Sequence, residues 1–175
     1  MLSLPIHRAT RFVLVRPHYP ENVGAAARAL KTMGFTKLTL VKPGRLAGPE
    51  HEMARKMAVK SLDVLENAER AESLALAVAG VDHVFMTSSH RGISGVLVPR
   101  DAALRAVELA AANRSLAIVL GNEKTGLDAG DFELGHSVIR IPMAADQPSI
   151  NLAQAVQLLA YELFLAALAL RSGHA

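Results

Sequence analysis

The amino-acid sequence predicts an α/β fold: a parallel sheet flanked by helices on both faces. Short β-prone apolar runs alternate with helical segments, the order that successive βαβ crossovers produce. The clearest run, Leu116-Ala-Ile-Val-Leu120, is apolar throughout, as suits a strand buried on both faces. Three loops after such runs carry polar residues, and ligands of parallel sheets bind at the carboxyl ends of the strands.

Phe12 to Arg16 is the first strand, followed by a loop bounded by Pro17 and Pro20. Glu21 to Met33 is helical, with Gly34 at its C-cap. Lys37 to Val41 is the second strand, stopped by Pro43-Gly44. Pro49 to about Lys60 has a helical pattern, and Ser61 to Leu65 is ambiguous, a brief strand being one reading. Glu69 to Ala79 reads as a helix ending at Gly80, and His83 to Thr87 as a strand opening into the loop Ser88 to Pro99. Pro99 occupies the first turn of a helix reaching about Ala112. After the strand Leu116–Leu120 comes the turn-rich Gly-Asn-Glu-Lys-Thr-Gly-Leu127, then a helical turn in Asp128 to Leu134 and a last strand, Ser137 to Ile141.

A loop containing Pro142 and Pro148 ends in Ser149, which reads as the N-cap of the last helix, and no Gly or Pro recurs until Gly173. In that helix Asn151, Gln154, Gln157 and Tyr161 recur at three to four residues and form one narrow polar stripe. Apart from Glu162 the other residues from Ile150 to Leu170 are aliphatic or Phe, so the helix needs cover on more than one side. One cover is the sheet; the other is expected to be a second copy of the chain, with Leu159 and Leu163 contributing to the contact. A membrane span is not expected, because Tyr161-Glu162 interrupts the run and about 20 unbroken apolar residues are needed.

At 175 residues a single domain, 1–175, is expected, long enough for a real core. Trp is absent, so that core is aliphatic. The absence of Cys excludes disulfides, thiolate metal sites and cysteine nucleophiles. The opening MLSLPIHRATRFVLV lacks the order of a signal peptide, and the cytoplasm is the expected compartment. Residues 1–60 hold eleven Lys/Arg against three Glu, a charge of +8, while the remainder carries −5. That split fits either a polyanion partner docking on the N-terminal elements or a solvated basic surface.

No dinucleotide glycine fingerprint follows the first strand and no Walker A motif occurs. The seven His are scattered, and His51-Glu52 lacks the second His of a zincin, so no metal site is expected. Three constellations remain. Asn22-x-Gly24-x-x-x-Arg28 opens a helix; its small residues admit another backbone or a ribose, and Arg28 offers a planar fork suited to phosphate. Leu120-Gly121-Asn122-Glu123 ends a strand in a turn carrying a carboxylate that can pair with a cation, where glycine lets the backbone approach a ligand. Ser149-Ile-Asn151 heads the last helix, where capping accounts for part of the pattern but not for the amide stripe.

Together, RPHYPENVGAAARALKTMGFTKLTLVKP, IVLGNEKTGL and IPMAADQPSINLAQAVQLLAYEL resemble the SpoU/TrmH family of RNA ribose methyltransferases, in the SPOUT class, and within it the TrmJ-like branch. The resemblance implies a parallel α/β sheet with a C-terminal trefoil knot, a homodimer whose catalytic sites are completed near the subunit interface, and 2′-O-methylation of a ribose in tRNA or rRNA. It assigns catalytic work to Arg28, Asn22, Glu123, Ser149 and Asn151. It places S-adenosylmethionine against Thr87, Ser88, Ser89, Leu120, Gly121, Asn122, Ile141, Met143, Pro148, Ser149, Ile150 and Leu152. The family often has Thr-Ala followed by basic residues after the corresponding strand; here that stretch reads Thr87-Ser88-Ser89-His90-Arg91-Gly92. The alternative is a catalytically weak RNA-binding protein of the same fold, against which the intact motif positions argue.

Overall fold

The computed structural model describes residues 2–173. Six strands, β1 (Thr10–Val15), β2 (Leu38–Val41), β3 (Glu69–Ala71), β4 (His83–Thr87), β5 (Leu116–Leu120) and β6 (Ser137–Ile139), form one sheet in the order β3-β2-β1-β5-β4-β6. Every pairing is parallel. The chain runs outward from β1 to β3, crosses to β4, then inserts β5 between β1 and β4. This reversal leaves a crevice at the carboxyl ends of the central strands.

The period of two sorts the strand side chains. Phe12, Leu14, Leu40, Phe85, Leu116, Ile118 and Leu120 face one way. On them lie α1 (Pro5–Ala9), α2 (Pro20–Thr32), α3 (Glu52–Ala58), α4 (Leu62–Glu66), α6 (Pro99–Ala111) and α8 (Leu152–Ser172). Val13, Val15, Val41, Val84, Met86, Ala117 and Val119 face the other way, under the thinner cover of α5 (Leu74–Ala77) and of Leu127, Phe132 and Leu134 around α7 (Ala129–Phe132). Both faces are covered, as expected.

The departures are local. Ser61 to Leu65 resolves as helix, forming most of α4. Glu69 to Ala71 is an edge strand where a helix was expected; its side chains are exposed or half-buried, so no apolar pattern marks it. The helix follows only at Ser73, whose hydroxyl accepts from Leu76 N at 3.2 Å. The cap of α8 is Asn151, not Ser149. The chain stays extended through Asn151 (φ −51°, ψ 139°), whose Oδ1 accepts from Ala153 N and Gln154 N at 3.0 and 3.3 Å. Gly173 ends α8 at φ 69°, in the left-handed region.

Among the described residues α8 is the one helix long and apolar enough for a membrane by length and composition. Here it lies on the sheet between α2 and α6, with Leu152, Val156, Leu159, Ala160 and Leu163 in the core. Leu159 and Leu163 are 2% and 3% exposed, so neither is free for a contact between copies; the outward residues are Leu158, Tyr161, Leu165 and Leu170. β6 is held by β4 on one side and by the returning segment at Leu97 on the other, where Leu97 N donates to Val138 O and Arg140 N to Leu97 O.

At the amino end of the sheet, buried His83 stands 3.0 Å from Ser137 Oγ, with its ring 5.0 Å from that of His136. Burial, the Arg105 charge and His136 lower its pKa to about 4. The unfolded chain takes up this proton near pH 6.5, the folded one only near pH 4, so His83 stabilises the fold fully above pH 6.5 and progressively less as pH falls toward 4. The predicted loss over that window is about 2–3 kcal/mol. Imidazole NMR should find His83 neutral at pH 5 in the folded protein; a midpoint above pH 6 would refute this account.

Candidate active site

A cleft of about 460 Å³ opens at the carboxyl ends of β4, β5 and β6. Its walls are the loop after Thr87, the turn Gly121–Leu127 and the segment from Ile139 to Ala155. The turn is closed tightly by Gly126 N donating to Asn122 O at 2.8 Å, while Asn122 Oδ1 accepts from Lys124 N at 2.8 Å and Thr125 N at 3.3 Å. A Cβ on Gly121 would fall on the backbone of Gly126 and Leu127. The glycine is therefore required by the turn itself rather than by a ligand pressed against it.

This turn aims Glu123 at the start of α2. Its carboxylate accepts from His18 N at 2.8 Å, Tyr19 N at 3.2 Å and Asn22 Nδ2 at 2.9 Å. The N-cap of α2, Tyr19, has no side-chain acceptor of its own, so a residue about a hundred positions away supplies the negative charge the helix start favours. Asn22 Oδ1 in turn accepts from Asn151 Nδ2 at 2.9 Å, and Asn151 spends its oxygen on capping α8. Each amide orientation follows from the next: an ionised carboxylate only accepts, so Asn22 must present its nitrogen to Glu123 and its oxygen to Asn151. The three sequence motifs thus meet in one chain of hydrogen bonds.

Two further ties brace the cleft. Arg16, at φ 51°, reaches Asp131 at 2.5 Å and Asp128 at 3.3 Å, while the Asn122 side-chain amide donates to the Arg16 carbonyl. Burial pushes the Asp131 carboxyl up, but the hydrogen bonds from Arg16 and the Asp128 amide, with the Arg16 charge, bring it below the ordinary range. On the opposite wall Arg140 Nη1 donates to the carbonyls of His90 and Arg91 at 3.2 and 3.3 Å, and Arg91 pairs with Asp146 at 3.0 Å.

Every residue expected to line the cofactor pocket, from Thr87 to Leu152, lines this one cleft, as do Asn22, Glu123, Ser149 and Asn151. Arg28 does not. It lies six residues beyond Asn22 on α2, about 9 Å along the axis and on another face, where it is exposed. The small residue Gly24 admits a protein backbone, not a ribose: a Cβ there would overlap the Ala54 carbonyl of α3. Glu123 is engaged by amides rather than by a cation.

The sequence model of the SpoU rRNA Methylase family matches residues 9–161. The chain belongs to this family. A tRNA (cytidine/uridine-2′-O-)-methyltransferase TrmJ from Photorhabdus laumondii is 40% identical over 162 residues, which are 91% of this chain and 65% of that protein. The chain therefore spans just under two thirds of that relative's length. Among solved structures, a probable methyltransferase from Bordetella pertussis Tohama I superposes with a TM-score of 0.86 at 37% identity, covering 93% of this chain and 98% of that one. TrmJ from Z. mobilis ZM4 gives 0.81 at 36% identity, covering 89% and 68%.

In this SpoU family chain the cleft also includes Tyr19, Lys124 and Phe132, which sequence reasoning missed. The one available signal was an aromatic residue in the Pro17–Pro20 loop beside the first motif.

The network makes Glu123→Gln a sharp test. One carboxylate accepts from three donors, whereas a glutamine brings a single acceptor oxygen and its own N–H groups against them. The substitution should cost about 1–3 kcal/mol of stability and speed amide hydrogen exchange at His18 and Tyr19. Unchanged exchange there would mean the carboxylate does not hold the start of α2.

Proposed function

We propose that the chain methylates a ribose 2′-hydroxyl of RNA, with S-adenosylmethionine as methyl donor and tRNA as the favoured substrate over rRNA. The observation carrying this is the hydrogen-bonded chain Glu123–Asn22–Asn151, which joins the three family motifs on the rim of one cleft. The activity of the TrmJ relative, a tRNA (cytidine/uridine-2′-O-)-methyltransferase, supports tRNA, and a bacterial tRNA modifier would work in the cytoplasm. The cleft suits the donor: its volume falls within the roughly 300–1,000 Å³ of small-molecule sites. Leu120, Ile139, Ile141, Met143 and Leu152 give it apolar walls, and Ser88, Ser89, Asn122 and Ser149 add polar side chains to its lining.

S-adenosylmethionine bound there would supply a sulfonium methyl group open to in-line attack by the ribose oxygen. The protein's contribution is chiefly position. Glu123, Asn22 and Asn151 hold the starts of α2 and α8 against the cleft, and with them the loops that shape it. Ser149 is exposed in the cleft, and its hydroxyl has no partner among the described residues, so it is available to the substrate. Arg28 orients the hydroxyl or a neighbouring phosphate; a guanidinium stays protonated, so the proton leaves to phosphate or water.

Because Arg28 stands outside the cleft, its role requires a second copy. Ala25 and Arg28 on α2 and Leu158, Tyr161 and Leu165 on α8 recur on the outward sides of two adjacent helices. That composite face is the proposed homodimer contact. The trefoil knot belongs to the same reading, supported by β6 lying between β4 and the returning segment at Leu97.

Incubation with labelled S-adenosylmethionine and bulk tRNA, then rRNA, tests the activity; absence of label in both would overturn it. Arg28→Lys keeps the charge but loses the planar fork. It should slow single-turnover methyl transfer at least about tenfold, near 1.4 kcal/mol of barrier, with cofactor affinity unchanged. A lysine variant as fast as the parent would make Arg28 an ordinary surface residue. For the dimer, Leu158→Glu combined with Leu165→Glu should shift sedimentation to monomer while the fold survives, since both residues are exposed in the single chain. A dimer indifferent to that pair would place the contact elsewhere.

A further inference from the structure

Glu123 and its neighbour Lys124 serve different ends. While Glu123 holds the start of α2, Lys124 lines the cleft mouth with its Nζ 2.9 Å from His18 Nε2 and 5.7 Å from the Tyr19 ring centroid. Neither partner is a carboxylate: one is an imidazole nitrogen, the other an aromatic face. Among the described residues Lys124 makes no ion pair, and the neighbouring Glu123 carboxylate is taken up by the His18 and Tyr19 amides and Asn22. Tyr19 is 44% exposed at the same rim, with its ring edge-to-face against His18 at 4.7 Å. Gly44 N donates to Pro17 O at 2.9 Å, which brings the loop bearing exposed Lys42 and Arg45 beside His18.

A large exposed aromatic ring beside an ammonium that makes no ion pair is what a nucleotide's two parts require: a π surface for the base and a cation for the phosphate. We infer that His18, Tyr19 and Lys124 form the seat of the nucleotide whose ribose is methylated, its base stacking on Tyr19 and its phosphate drawing Lys124 away from the ring and from His18. The inference rests on the reading of the chain as an RNA ribose methyltransferase. Stacking tolerates any base, so this seat supplies affinity and placement without selecting a base. The Tyr19 backbone N–H is bound by Glu123, so the platform is rigidly joined to the motif network. Tyr19 and Lys124 are positioning residues: they place the ribose and take no part in the transfer.

Two measurements on the full chain test this: fluorescence anisotropy with a labelled unstructured oligoribonucleotide, and steady-state methyl transfer to bulk tRNA. Tyr19→Ala should weaken oligoribonucleotide binding and raise KM for tRNA at least about fivefold, with the calorimetric affinity for S-adenosylmethionine unchanged. Tyr19→Phe should behave as the parent, because the ring rather than the hydroxyl is used. Lys124→Met should weaken RNA binding and reduce the slope of log affinity against log salt by about one. Tyr19→Ala binding RNA as tightly as the parent would overturn the proposal. So would parallel losses of RNA and cofactor affinity, which would assign the ring to the cofactor or to the fold. A parent protein that labels no RNA would instead remove the methyltransferase reading, and the anisotropy comparison would still decide the seat.

Discussion

The Glu123 carboxylate is the constraint on which the cleft depends. It lies within the turn at the carboxyl edge of β5 and accepts from two backbone amides and one side-chain amide at the start of α2. Only an ionised carboxylate offers that many acceptor sites without bringing a donor of its own. Asn22 passes the constraint to Asn151, and Asn151 passes it to the first turn of α8. Three segments distant in sequence are thereby fixed to one another by side chains that each satisfy two neighbours. Loss of any member leaves a partner's donor or acceptor unpaired at a half-buried site.

The sheet makes that arrangement possible by being unequally dressed. One face carries the heavy layer of α2, α6 and α8, the other only α5 and the Leu127–Leu134 region. Insertion of β5 between β1 and β4 brings the turn after β5 beside the loop after β1, which is why Glu123 and His18 meet. Close approach in the heavy layer is secured separately. Gly24 lets α2 touch the backbone of α3, so the small residues of the first motif serve helix packing. Arg16 secures the thin face by holding Asp131 and Asp128 near the entry to α7.

Much of this was legible in the sequence because the signals were local. The buried strands β1, β4 and β5 announce themselves as apolar runs, and the carboxyl-end loops follow from them. The cleft residues were legible only through resemblance to the SpoU/TrmH family, not through periodicity. What escaped shares one cause: the deciding interaction lay elsewhere in the chain. Glu69-Arg70-Ala71 is strand only because β2 offers it an edge. Asn151 displaces Ser149 as cap because Asn22 orients the far end of its amide. Leu159 and Leu163 were expected outside because the helix is apolar on every side, and composition alone does not say which side meets the sheet. Tyr19 and Lys124 come together only once Glu123 has drawn the two loops into contact.

The basic excess of the first 60 residues acquires a different meaning once its members are placed. Arg16, Lys31, Arg55 and the guanidinium of Arg11 are spent on Asp131, Asp63, Glu66 and the Ala77 carbonyl. Lys37 is spent on the Arg8 carbonyl. These residues join elements, and a solvated surface is all their charge needs to explain. Arg28, Lys42 and Arg45 are exposed and make no ion pair among the described residues. Lys42 and Arg45 sit on the loop fastened to Pro17, at the rim that also holds His18 and Lys124. Cations gathered at the edge of a cleft focus the field there, and the docking of a polyanion is governed by such a local potential more than by net charge. The +3 of the whole chain therefore says little about this rim, where Lys42, Arg45 and Lys124 make no ion pair among the described residues and the Glu123 carboxylate is held by the His18 and Tyr19 amides.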